Sequence, residues 1–226
     1  MKNIINRSYR MLFPLILSLG IVDTWAQSKP KELLITIYKN ESVPATSGKE
    51  EINLYKSHQN NLQQLLDDGY LNLIGFLKPG GAIFMGKAKD QPYIQERLDQ
   101  DGAIEAGIYL YKIKAFEKKT GSICRFRQGC HQVNYQLITF WPNLNKETVK
   151  IAALMEYKHQ SFLEASSSAN EVVLIGAFDG LQGNFLIYQG EDFKDFISSD
   201  PAVVNDYLLP ENLPFTSCDL SDCSSP

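Results

Sequence analysis

The chain has 226 residues, 44% of them apolar and 21% charged, the balance of an ordinary globular protein rather than a disordered one. Its formal charge of −4 offers no basic face, which excludes nucleic acid as a partner. No Gly-rich phosphate loop, nucleophile elbow or paired-histidine metalloprotease signature occurs, and those enzyme classes drop out with them.

The N-terminus carries Lys2, Arg7 and Arg10, then the apolar run Met11 to Val22, then Ala26 among small residues. That order is a secretory signal peptide over residues 1–27. The run is about twelve residues, broken by Pro14 and Gly20, against the roughly 20 that a spanning helix needs. Cleavage near Ala26 or Gln27 is expected, with an uncleaved single anchor as the alternative. No cysteine precedes Cys124, so a lipid anchor is not expected, and nothing downstream is apolar enough for a second span. The mature chain is expected to be periplasmic or secreted, with no stable membrane insertion.

From residue 28 the elements run in a recognisable order. Glu32 to Tyr38, rich in β-branched and aromatic residues, predicts a strand, and Pro44, Ser47 and Gly48 a loop. Glu51 to Asp68 spaces Ile52, Tyr55, Leu62, Leu65 and Leu66 by three, four and seven, an amphipathic helix with His58 in its middle and Gly69 at its end. Tyr70 to Leu77 and Ala82 to Ala88 flank Lys78-Pro79-Gly80-Gly81 as a hairpin. Gln91 to Asp99 predicts a second helix, and the alternation in Ile104 to Phe116 a final strand.

The same order returns about 100 residues later. Leu34-Ile35-Thr36 recurs as Leu137-Ile138-Thr139, His58-Gln59 as His159-Gln160, and Leu73-Ile74-Gly75 as Leu174-Ile175-Gly176, at offsets of 103, 101 and 101. Phe84 and Phe185 match at 101, and Asp101 and Asp200 at 99. Tyr135 to Trp141 predicts a strand, Lys146 to Ser167 a helix, Val172 to Phe178 and Asn184 to Tyr188 a hairpin, and Glu191 to Ser198 a short helix. The last strand is expected to be weak, because Pro210 and Pro214 cannot donate to a ladder. The expected organisation is a first domain over 28–120, a linker with a cysteine pair over 121–133, and a second domain with a cysteine-containing tail over 134–226.

Two such β-α-β-β-α-β units are α+β and ferredoxin-like. A single unit leaves one sheet face uncovered, so the two sheets are expected to pack on each other as a pseudo-dimeric α+β barrel within one chain. Each half would keep a pocket between sheet and helices for a small-molecule ligand.

Five residues separate Cys124 from Cys130, and four separate Cys218 from Cys223, in a chain read as exported. Disulfides are the first reading; of the three connectivities, duplication favours the local one, Cys124 to Cys130 and Cys218 to Cys223. A zinc site built from these thiolates with His131 is the alternative, although the spacings are wide for it; otherwise His131 is expected at the surface.

His58, Leu62, Leu65, Gly69, Leu71 and Gly75, followed by Asp101, Ala106-Gly107-Ile108-Tyr109 and Phe116, resemble the YCII-related family over most of residues 31–116, with a weaker copy over 134–215. The family's proline after the strand glycine is replaced by Phe76 and Ala177, and its aspartate-proline reads Asp101-Gly102 but Asp200-Pro201. The resemblance implies a dimeric α+β barrel and an active-site pair of histidine and aspartate, falling on His58 with Asp101 and His159 with Asp200. It further implies a lyase or isomerase that moves a proton on a small molecule without cofactor, a task suited to an imidazole oriented by a carboxylate. The other reading is a non-catalytic module of the cell envelope that binds a small ligand or a protein. The unequal departures from the family pattern predict unequal roles for the two halves.

Overall fold

The structure, a computed structural model, describes residues 32–43, 48–78, 80–124, 129–144, 149–168, 171–181 and 183–220. The expected signal peptide and Cys223 lie outside them. The first half runs β1 (Glu32–Lys39), α1 (Lys49–Asp67), β2 (Leu71–Leu77), β3 (Gly81–Lys87), α2 (Gln91–Asp99), α3 (Gly102–Glu105) and β4 (Tyr109–Gly121). The second repeats it as β5 (Gln132–Pro142), α4 (Val149–Ser166), β6 (Val172–Phe178), β7 (Asn184–Tyr188), α5 (Phe193–Ser198), α6 (Pro201–Val204) and β8 (Leu208–Cys218). No helix among the described residues is long and apolar enough to cross a membrane.

All neighbouring strands are antiparallel and close a barrel in the order β1-β3-β2-β8-β5-β7-β6-β4. Each half contributes four adjacent strands, and the halves are sewn together at two seams, β2 to β8 and β4 to β6. The mixed α+β architecture is therefore the pseudo-dimeric barrel that the repeat predicts, with the sheet edges that two separate sheets would expose consumed by closure.

Strand side chains alternate, so each strand feeds two cores. Leu33, Ile35 and Ile37 point toward α1 and α2, while Leu34 points into the barrel. The lumen is filled from both halves, by Leu34, Ile74, Phe116, Tyr135, Phe185 and Phe215 among others. Gly75 and Gly176 permit this closure: a Cβ on Gly75 would stand 2.5 Å from the Phe215 ring and 2.7 Å from the Thr216 carbonyl, and one on Gly176 2.3 Å from Phe185 and 2.8 Å from Phe116. The last strand of each half thus lays its phenylalanine over the glycine of the other half.

Several sequence expectations change. Ile104 and Glu105 belong to α3, not to the strand, because Asp101 caps that turn and Gly107, at φ 73°, ends it, so β4 begins at Tyr109. Strand β8 is not weak: it pairs with β5 from Leu208 to Cys218. Pro210 and Pro214 are four apart, so their missing N–H groups fall on one edge of the strand, and the register with β5 runs unbroken past both; β2 joins β8 only at Phe215 and Thr216. On α1, Leu65 is buried, but Ile52 and Tyr55 are exposed.

The repeat also slips inside the hairpins. Leu73 and Phe84 face the helices, whereas Leu174 and Phe185 face the lumen. For Leu73 and Leu174 the cause is a bulge that sits between Leu73 and Gly75 in β2 but between Val172 and Leu174 in β6; for Phe84 and Phe185 it is the hairpin turn, one residue longer in the second half, since Gly75 pairs with Ile83 but Gly176 with Phe185. By register, Leu73 corresponds to Ile175 and Phe84 to Leu186, not to Phe185.

The local disulfide pairing is overturned. Cys130 is bonded to Cys218, with Cα atoms 5.5 Å apart across 88 residues of chain. The β5–β8 register explains it: Gln132 pairs with Cys218, which brings the start of β5 beside the end of β8. Cys124 is disulfide-bonded as well. With Cys124, Cys130 and Cys218 oxidised, the four-thiolate zinc reading loses three of its four ligands.

Candidate functional site

Each half places one aspartate at the N-cap of a four-residue helix. Asp101 has extended backbone, and its Oδ1 accepts from the amides of Ala103 at 3.0 Å and Ile104 at 3.3 Å. Asp200 does the same for Ala202 at 2.9 Å, with Pro201 in the first helical turn, where a missing N–H costs nothing. Capping fixes each carboxylate so that its other oxygen points at the long helix of its half, and there stands the histidine.

In the first half, His58 Nδ1 lies 3.1 Å from Asp101 Oδ2, within ion-pair reach but off hydrogen-bond alignment. The same oxygen accepts from Asn61 Nδ2 at 2.9 Å, and Asn61 in turn accepts from Arg97 Nη2 at 2.8 Å. Burial pushes the Asp101 carboxyl up, but His58, Asn61 and the Ala103 amide outweigh it and hold it below the usual carboxylate value. The imidazole stacks flat on Tyr109, centroids 4.4 Å apart. Burial raises the Tyr109 phenol, helped by Tyr55 and Glu51, so it keeps its proton at neutral pH.

His58 forms part of the wall of an open pocket of about 640 Å³ between α1 and the sheet. Tyr55, Leu62 and Leu66 of α1 face Leu73, Phe84 and Tyr109 of the strands across it, and Gln59 and Gln63 stand among them. Among the described residues no aspartate, glutamate, lysine or arginine lines it, and His58 is its one imidazole.

In the second half, His159 Nδ1 and Asp200 Oδ2 make a 2.6 Å hydrogen bond, and both residues are 0% exposed. His159 Nε2 is buried without a partner, and the ring packs against the edge of Phe140 at 4.9 Å. Strand register shows why the site is tighter. Ile37 pairs with Ala82 in the first half where Phe140 pairs with Asn184 in the second, so larger side chains stand at two positions that line the first pocket. Leu208 occupies the place of Tyr109, and Phe162 that of Asn61.

The structure thus brings His58 to Asp101 and His159 to Asp200, while Cys130 and Cys218 stand apart from both pairs. Asn61, Tyr55 and Tyr109 were missed by sequence reasoning as site residues. Asn61 could have been suspected, one helical turn beyond His58; Tyr55 was assigned to the buried face instead. Among the described residues no group of three or more His, Cys, Asp or Glu is placed to hold a metal.

No protein-family profile and no curated protein sequence matches the chain. Solved structures overlap with it loosely. A dye-decolorizing protein from V. cholerae is 10% identical, with a TM-score of 0.43 over 84% of this chain and 94% of that one. A protein from Lactobacillus acidophilus assigned as a monooxygenase is 9% identical, at 0.42 over 83% and 93%. A protein assigned as a chlorite dismutase is 10% identical, at 0.46 over 86% and 97%. With similarity this low, the architecture rests on the strand ladder of this chain itself.

Proposed function

We propose that the first half binds a small, uncharged or weakly polar molecule against His58, and that His58, oriented by Asp101, moves a proton on it as a lyase or isomerase would, without a cofactor. The observation that carries this reading is an imidazole held by a buried carboxylate in the wall of an open pocket otherwise free of charged residues. In such a pocket a carbon acid meets one base, and the Asp101 carboxylate favours the imidazolium that forms when the proton is taken. The resemblance to the YCII-related family, which rests on the residues quoted above, points the same way. The disulfide and the sequence of the first 27 residues support export.

A second reading has its own observation. The same histidine–aspartate pair is kept in the second half where both residues are 0% exposed, so there it serves as a strut between α4 and α6. If the first pair is also only a strut, the first half is a binding module for the cell envelope rather than an enzyme.

The experiment is to recover the small molecules that co-purify with the periplasmically expressed protein, identify them by mass spectrometry, and follow solvent deuterium entering the bound compound. Exchange should stop in His58→Gln while binding persists; exchange at the native rate in that variant sinks the catalytic reading. Ile37→Phe with Ala82→Asn imports the residues of the second half and should abolish binding by filling the pocket; undiminished binding would place the ligand elsewhere.

A further inference from the structure

Two positions beside each histidine–aspartate pair change together between the halves. Asn61, three residues after His58, stands where the second half has Phe162, three after His159; Arg97, four before Asp101, stands where it has Phe196, four before Asp200. In the second half the two are apolar and pack ring on ring, with centroids 5.0 Å apart. In the first they form a polar chain that ends on the carboxylate.

That chain leaves Asn61 no choice of orientation. Its Oδ1 accepts from Arg97 Nε at 3.2 Å and Nη2 at 2.8 Å, while its Nδ2 donates to the Arg97 carbonyl at 3.1 Å and to Asp101 Oδ2 at 2.9 Å. Turned over, the amide would set its oxygen against the carboxylate and its NH2 against the guanidinium. Among the described residues the Arg97 guanidinium meets the amide oxygens of Asn61 and Gln64 and no carboxylate. Its charge therefore bears on Asp101 through the Asn61 amide, which it polarises. Asn61, Arg97 and Asp101 line a polar groove of about 390 Å³ that shares only Asn60 with the His58 pocket, so neither Asn61 nor Arg97 borders the space where a ligand would meet the imidazole.

The two carboxylates behave accordingly. Among the described residues Asp200 Oδ2 has His159 alone and lies 2.6 Å from its Nδ1 in an aligned hydrogen bond. Asp101 Oδ2 has Asn61 as well, and stands 3.1 Å from a His58 Nδ1 that is buried and out of line with it. The rings differ too, since His58 is stacked on Tyr109, 11° from parallel, where the second half has Leu208. We infer that Asn61 and Arg97 are positioning residues of the His58 site, anchoring the Asp101 carboxylate so that it faces the imidazole without being firmly bonded to it. This rests on the reading of His58 as the base of the first half. With the carboxylate anchored by Asn61 and the ring held by Tyr109, His58 takes and returns a proton without either group having to move, whereas the second-half pair is closed on itself.

The test is a count of downfield imidazole N–H protons by NMR on the full chain, which needs no ligand. The chain has three histidines, and His131 is exposed, so only the buried Nδ1 of His58 or of His159 can hold such a proton against exchange. Wild type should show one resonance, lost in His159→Gln. In Asn61→Leu the competing donor is gone, and a second resonance should appear as His58 Nδ1 closes on Asp101; adding His58→Gln should remove it. Asn61→Phe with Arg97→Phe imports the pair of the second half and should also give two, and the His159 resonance reports in each variant that the fold is intact. Solvent deuterium exchange into the co-purifying compound should slow in Asn61→Leu by up to roughly a hundredfold. Any number but one in wild type, or a single resonance in both Asn61 variants with that of His159 intact, would overturn the positioning role. Exchange at the native rate in Asn61→Leu would overturn its bearing on the reaction, whereas exchange at the native rate in His58→Gln sinks the base itself and leaves the resonance count to judge the positioning.

Discussion

The two halves are built to one plan and finished differently. Both hold a histidine on the long helix against an aspartate that caps the short helix before the last strand, yet one pair borders an open pocket and the other is sealed. The difference lies in a handful of neighbours, with Ile37, Ala82 and Tyr109 on one side and Phe140, Asn184 and Leu208 on the other. A shared histidine–aspartate pair therefore identifies a fold requirement before it identifies a chemistry, and access to the imidazole is what separates the two.

The covalent tie sharpens the contrast first. The Cys130–Cys218 bond closes 88 residues of the second half, and by chain entropy a loop of that length stabilises by up to roughly 4–5 kcal/mol. Urea unfolding of Cys130→Ser with Cys218→Ser should show a loss approaching that figure, with amide exchange rising soonest in β5 and β8. An equal rise in β1 and β3 would mean that the halves open as one unit.

Next comes the strut. Asp200→Ala removes the cap of α6 and strands a fully buried imidazole, and a cost of about 3 kcal/mol is expected. Asp101→Ala should cost less, because His58 borders a pocket that water can enter. Should Asp101→Ala prove as damaging as Asp200→Ala, the first pair is a strut too, and the distinction between the halves collapses.

The seams offer a smaller effect. Gly75→Ala drives a Cβ toward the Thr216 carbonyl at 2.7 Å, a backbone atom that cannot rotate aside, at the seam joined by only two residue pairs. A loss of about 2 kcal/mol is expected from such overpacking. In Gly176→Ala the nearest clashes are with the aromatic side chains of Phe185 and Phe116, at a seam of five pairs. Thermal unfolding of both variants compares the seams, and a larger loss in Gly176→Ala would show that the aromatic core, not the backbone approach, sets the limit.

Much of this was legible in the sequence because element order follows from periodicity and turn chemistry. The hairpin strand limits Val172 to Phe178 and Asn184 to Tyr188 came out as read, and the duplicated histidine and aspartate were found from spacing alone. What escaped were features set by tertiary register. One extra residue in the second hairpin turn puts Phe185 in the lumen while Phe84 faces α1, though the two stand 101 residues apart, the offset of the repeat. The cysteines mislead similarly, since local spacing says nothing of Gln132 lying opposite Cys218. Exposure was illegible as well: Tyr55 falls on the apolar stripe of α1 and yet borders an open pocket.

The gentlest probe of the comparison is acid. The Asp101 carboxyl is pushed up by burial but held below its ordinary value of 3.8 by His58, Asn61 and the Ala103 amide. A carboxyl with a depressed folded value binds protons more readily in the unfolded chain, so its contribution is present in full above 3.8 and disappears as pH falls through the lower folded value. In Asp101→Asn the cap is retained, since asparagine accepts from the same amides, but the titrating charge is gone. Urea midpoints measured from neutral to strongly acidic pH should therefore show wild type losing its advantage over Asp101→Asn only below that ordinary value. A constant gap between the two proteins across that range would mean that the carboxylate charge contributes nothing beyond the cap, and that His58 stands beside the open pocket without electrostatic support.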